Sequence, residues 1–129
     1  METSGSYLHW DETALSAAEI LRRAHDLVAF GWCQRADATD AERNPVEPWS
    51  ARACRWSLLG ALAAALGPPR EIMPESLALI AELRRALVAV SELITDSSLQ
   101  HWNDQPRREQ THVVAVLAAA RKQCGVAKA

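Results

Sequence analysis

Residues 99–114 read LQHWNDQPRREQTHVV and bring an imidazole, an indole, an amide, a carboxylate and two guanidinium groups ahead of an apolar run. One chemistry open to them is hydrolytic. Asp104 would act as base or ligand, Asn103 would orient a partner group, and Arg55 and His101 would complete a polar pocket. A carboxylate that activates water needs its proton affinity raised by burial or by a like-charged neighbour. Only Glu109 offers such a neighbour nearby in the chain. The competing reading is structural: Trp102 packs on the body of the domain, and Asn103 or Asp104 accepts the orphan N–H groups at the start of the last helix. Pro106 would then sit in its first turn. The sequence favours this second reading and assigns no catalytic residue.

The same stretch is the best candidate for nucleic-acid contact. Arg107 and Arg108 could meet phosphates and Gln110 could reach a base edge, with Thr111 and His112 beside them. The polar joint before this helix is too long for a helix-turn-helix. The net charge of −2, from 14 basic and 16 acidic residues, also lacks the excess of positive charge such domains carry. Nucleic acid is therefore an alternative partner and not the first.

Cys33, Cys54 and Cys124 form no CxxC pair, and His9, His25, His101 and His112 show no HExxH spacing. No metal site is expected. Pairing Cys54 with His101 for nucleophilic catalysis would need a base within reach of sulfur, whereas a cysteine in an apolar helix is usually a small buried hydrophobe. There is no glycine-rich phosphate cradle and no GxSxG elbow, so no cofactor is expected either. No basic head followed by an apolar stretch opens the chain. The run from Trp56 to Pro69 is 14 residues, short of the ~20 that span a bilayer. The cytoplasm is the expected location.

The elements that must position these residues are helical. The chain has 129 residues, 49% hydrophobic and 5% aromatic; Ala and Leu dominate, and both lose little freedom in a helix. Ser16-Ala-Ala-Glu19 has the capping-box spacing. The first helix is expected to run to Gly31 with Ile20, Ala24, Leu27 and Val28 on one side, and a left-handed Gly31 would stop it. Residues 32–49 lack a period and form a long loop. Ser50 would cap the second helix, which carries Trp56, Leu59, Gly60 and Ala63 and ends at Gly67-Pro68-Pro69. Pro74 would open the third, with Ile80, Leu83, Leu87, Val90 and Ile94 as its stripe. The fourth begins between Asp104 and Thr111 and buries Val113, Val116, Leu117 and Ala120. The expected fold is all-α: a compact bundle of four main helices with a long loop between helices 1 and 2. Residues 1–15 would be an arm, 16–124 the single domain and 125–129 a tail.

Three pieces resemble a family of small, functionally uncharacterised helical proteins of actinobacteria and some of their phages. They are Trp32, Gln34, Pro45 and Val46; then Ala53-Cys54-Arg55-Trp56-Ser57-Leu58-Leu59-Gly60-Ala61; and Trp102-Asn103-Asp104 with Arg108 and the run from Val113 to Leu117. The resemblance covers residues 16–121 and implies a compact helical fold without an assigned activity. In that family a cysteine commonly stands where this chain has Ser57, so a thiol nucleophile is untenable there. Glu109 and His112 replace the usual Thr and Glu, which implies that the capping box of the last helix is missing.

The function expected from all this is non-enzymatic binding or regulation of another macromolecule, most simply a protein. Aromatics outside the helical stripes would make the contacts: Tyr7, Trp10, Trp32 and Trp49, with Leu8. Their rival role is to fasten the arm and loop to the domain. A homodimer could also form through the broad Ala-rich helix.

Overall fold

The computed structural model describes residues 15–69 and 76–128, the side chains of 126–128 excepted. Among these residues the chain forms five helices: α1 (Ala17–Phe30), α2 (Leu58–Leu66), α3 (Leu77–Ser91), α4 (Leu99–Asn103) and α5 (Gln110–Lys128). Two short strands, β1 (Ala38–Thr39) and β2 (Arg55–Trp56), pair antiparallel with Ala38 opposite Trp56 and Thr39 opposite Arg55. The fold is thus mostly helical, but it is not a bundle of four. The expected loop contributes a small ladder, and a fifth, five-residue helix carries Trp102 and Asn103.

Helix α1 is the centre, packing on α5, α2 and α3. Its Ile20, Leu21, Ala24 and Val28 are fully enclosed, as are Leu58 and Ala61 of α2 and Val113 and Leu117 of α5. Each large aliphatic buried this way contributes about 1.5–3 kcal/mol. Half of the expected capping box is present, with the Glu19 amide donating to Ser16 Oγ at 3.1 Å. The Glu19 carboxylate turns instead to Arg22 at 2.7 Å and Arg23 at 3.1 Å. The Arg22 hydrogen bond, aided by Arg23, holds its pKa down to about 2 against the effect of burial. Glu82 of α3 completes the helix start, accepting from the Ala17 amide at 2.8 Å.

Gly31 does not end α1 by turning left-handed; its φ of −165° is extended backbone. Glycine is needed there because a Cβ would run into the Cys54 carbonyl oxygen. That close approach begins the ladder. The Trp56 amide donates to the Gly31 carbonyl at 3.1 Å and the Cys33 amide to the Trp56 carbonyl at 3.3 Å. On the other edge, Cys54 donates to Thr39 and Ser57 to Asp37. Residues 54–57 are therefore extended, which overturns a second helix starting after Ser50. Ser57 is the true cap, its Oγ accepting from the Gly60 amide at 3.0 Å. Ser50 caps only a turn.

The expected α3 stripe holds at Val90 and, just past the helix, Ile94, which are buried, but is rotated before them. Ala86, Ala89 and Val90 are its buried residues, while Leu83 and Leu87 are half-buried and Ile80 is 42% exposed. Small alanines let α3 approach α1 and α5 closely, leaving its larger side chains along the margin. Helix α5 starts inside the expected window. His112 Nδ1 accepts from the Glu109 amide at 3.0 Å, so the imidazole makes the reach-back contact that a glutamate makes in a capping box.

Candidate functional site

Asn103 is fully buried and lies at the meeting of three segments: the loop after α1, the start of α2 and the end of α4. Its Oδ1 accepts from the Trp32 indole N–H at 2.8 Å and from the Leu58 amide at 2.9 Å. Its Nδ2 donates to the Cys33 carbonyl at 3.1 Å and to Asp104 Oδ1 at 3.0 Å. A side-chain amide has two donors and two acceptor sites, and here all four are filled. Gln34 adds a clamp, its Nε2 donating to the Asn103 carbonyl at 3.0 Å and the Gln105 carbonyl at 2.8 Å. The expectation of an Asn or Asp cap on the last helix is corrected in one respect. Asn103 satisfies an orphan N–H, but at the start of α2 and not of α5.

Asp104 accepts from the Arg35 amide at 2.9 Å, from Gln100 Nε2 at 3.0 and 3.1 Å, and from Asn103. Burial works against its charge, yet these N–H donors together hold its carboxyl below the usual carboxylate range. That is the opposite of what a general base requires. Arg35 sits at φ 67°, a left-handed conformation unusual for a side-chain-bearing residue, and it aims its amide at Asp104. Trp102 is buried, with the Arg108 guanidinium 3.9 Å above its ring.

The other expected site residues have partners of their own. Arg55 does not pair with Asp104 or Asp37; its Nη1 donates to the Asp40 carbonyl at 2.8 Å. His101 contacts Asp96 through Nδ1, and that contact lowers the Asp96 pKa. Arg108 Nε donates to the Trp102 carbonyl at 2.9 Å. Gln110 Nε2 donates to the Val28 carbonyl at 2.7 Å, satisfying the end of α1. Of the three expected nucleic-acid contacts, Arg107 is exposed, while Arg108 and Gln110 are half-buried. Pro106 lies in the joint before α5, outside its first turn. Cys54 lies in the extended segment before β2 and not in an apolar helix. Burial pushes the Cys33 thiol pKa up, which lowers its reactivity at neutral pH. Among the described residues no cluster of His, Cys, Asp and Glu could hold a metal ion, and no helix is long and apolar enough to cross a membrane.

A second region is open where the first is closed. Trp49, Leu66, Leu79, Ile80 and Leu83 help line a groove of about 300 Å³ between the end of α2 and the start of α3. Leu77, 64% exposed, stands beside it on α3. Among the described residues, Trp49 is thus the one expected contact aromatic at an apolar opening. Trp32 is half-buried, with its indole N–H spent on Asn103. Tyr7, Leu8 and Trp10 lie outside the described residues. Reading along the chain missed the parts of Gln34, Gln100 and Ser57. The signal for the first existed, since Trp32-x-Gln34 and Trp102-Asn103-Asp104 are paired pieces of the same resemblance.

Both regions fall within residues 12–123, which match the model of a family of unknown function, DUF6197. The chain belongs to this family. No curated protein and no solved structure matches it. Family membership accordingly brings no reaction or ligand to either region, and any function has to be argued from their geometry.

Proposed function

We propose that this DUF6197 member is a non-enzymatic interaction module, a regulatory or accessory protein of the cytoplasm, that binds an apolar segment of a partner protein. The observation that carries the reading is the α2–α3 groove, an apolar opening with an indole on its wall. Apolar concavities with an aromatic anchor are where peptide segments gain most of their binding energy. The polar residues near Asp104 support the same reading from the other side, because their donors and acceptors are engaged within the fold. Arg108 and Gln110 are likewise engaged, which favours a protein partner over a nucleic acid.

The test is to capture partners with the full chain, identify the one that binds, and titrate it calorimetrically. Ile80→Asp should weaken binding at least about tenfold, equivalent to 1.4 kcal/mol. Leu93→Asp, at a residue 42% exposed that is not among those lining the groove, should leave binding unchanged. Equal affinity of Ile80→Asp and wild type would sink the reading. An affinity that collapses with salt would point to nucleic acid instead.

A further inference from the structure

We infer that the start of α5 is a pH-operated latch: the neutral His112 imidazole holds it closed, and protonation of that ring releases the joint between α4 and α5. The polarity of one contact carries this. His112 Nδ1 accepts from the Glu109 backbone N–H at 3.0 Å. An imidazole nitrogen accepts only while it carries no proton, and both nitrogens are donors in the cationic ring. Protonation therefore sets a donor against a donor, and it places a cation at the end of a helix that favours anions. The contact belongs to the neutral ring, so its contribution to stability is present at higher pH and lost as the ring titrates on acidification.

His101, on the other side of the joint, has the opposite polarity. Its Nδ1 contacts the Asp96 carboxylate, a pairing that protonation strengthens. Acid thus tightens α4 and frees the start of α5, directing the release to the residues between them. The joint is otherwise fastened by the Arg108 amide on the Gln105 carbonyl at 3.0 Å, Arg108 Nε on the Trp102 carbonyl at 2.9 Å, and Gln110 Nε2 on the Val28 carbonyl at 2.7 Å. Amides and guanidinium groups keep their protons across the range in which imidazole titrates, so His112 is the fastening that answers to pH. His112 is exposed, and α5 packs on α1 and α3. Among the described residues, the charged groups toward the end of α1 are His25 and Asp26, in contact with each other, with Arg22 also on Asp26. On α3, Glu82 and Arg85 act on Cys124 at the far end of α5, which leaves Glu92 as the charge at the near end. In the joint, Arg107 is exposed and Glu109 shares the turn with His112. The Glu109 carboxylate can pair with the protonated ring across three residues, but that pairing draws the ring toward the side chain and away from the amide.

The test follows the isolated full chain by NMR across the range in which the His112 ring resonances titrate. Above that range, the ring nitrogen shifts should identify the tautomer with its proton on Nε2. Through it, exchange of the Arg108 and Glu109 amides, corrected for intrinsic rates, should accelerate roughly fivefold on acidification, the factor that corresponds to one lost helix-start acceptor. The amide of Leu117, whose side chain is fully buried in the core, should stay protected and report an intact fold. His112→Glu supplies an acceptor that stays ionised where an imidazole titrates, and it should hold both amides steady. His101→Gln should leave the acceleration in place. A folded ring protonated on Nδ1 above its titration, or wild-type exchange that stays flat through it, would overturn the latch. So would an acceleration that survives in His112→Glu or disappears in His101→Gln. The latch lies apart from the α2–α3 groove, so none of these results bears on the Ile80→Asp titration.

Discussion

Around Asn103, side-chain donors and acceptors are matched within the fold, and their partners come from segments far apart in the chain. Along the α2–α3 groove, apolar side chains stand partly exposed with few polar groups to fix a ligand's orientation. The contrast separates two kinds of prominence in a sequence. Trp102-Asn103-Asp104 stands out because unusual residues are needed to join unlike elements. The groove gathers Trp49, Pro68 and Pro69 with ordinary Leu, Ile and Ala, and it stands out only once the chain is folded. The polar cluster joins distant segments of the fold; the apolar one lines a groove at its surface.

The largest test of this contrast is Asn103→Ala. It strands the Leu58 amide, the Trp32 indole N–H and the Cys33 carbonyl, each costing about 1–3 kcal/mol when buried without a partner. A loss of roughly 3 kcal/mol or more should appear in urea denaturation, and a loss below 1 kcal/mol would break the comparison. Gly60→Ala comes next. A Cβ there would collide with the Asp37 backbone, and overpacking of this sort costs about 1–3 kcal/mol. Gly125, with open space around it, is its control, and Gly125→Ala should stabilise by up to ~1 kcal/mol through helix propensity.

Acid should loosen the polar region selectively. The folded pKa of Asp104 is depressed, so its stabilisation is complete above the unfolded value of about 3.9. It is lost as pH falls through the lower folded value. Amide exchange at Arg35, which donates to Asp104, should accelerate in that window once corrected for intrinsic rates. Among the described residues the groove lining contains no carboxylate, and its methyl resonances should hold. Unequal protection in the reverse order would contradict the assignment.

Glu82→Ala should cost about 1 kcal/mol, the usual value of a lost helix-start acceptor, while Glu82→Gln should retain most of it. Chemical denaturation of the pair separates hydrogen bond from charge. The smallest effect belongs to Ile80→Ser. At 42% exposure its stability should stay within about 0.5 kcal/mol of wild type, and a larger loss would mean the groove is part of the core.

Much of the helical content was legible because its signals are local. The Ser16 cap, the apolar positions of α1 and the stop at Gly67 need only neighbours three or four residues away. The ladder was not legible, because Trp56 is extended through bonds to Gly31 and Cys33 rather than by any local preference. Gly31 suggested a left-handed helix stop, and Gly60 a position on one face of the second helix. Their actual reason is backbone passing overhead, from Cys54 and Asp37. The structural role of Asn103 was readable from its residue type, but its target was not. Nothing near residue 103 says that the N–H awaiting it belongs to Leu58.

The hydrogen bonds that meet at Asn103 close chain separations of 45, 70 and 71 residues. Such distant pairings carry a loop-closure cost before they return any stability. Small helical proteins usually fold fast because their contacts are near in sequence, and this one has a late step built into its centre. Each helix can form early from contacts three and four residues apart, while the loop after α1, the start of α2 and the end of α4 must arrive together. A refolding time course should accordingly gain helix signal before the Trp32 indole loses contact with water.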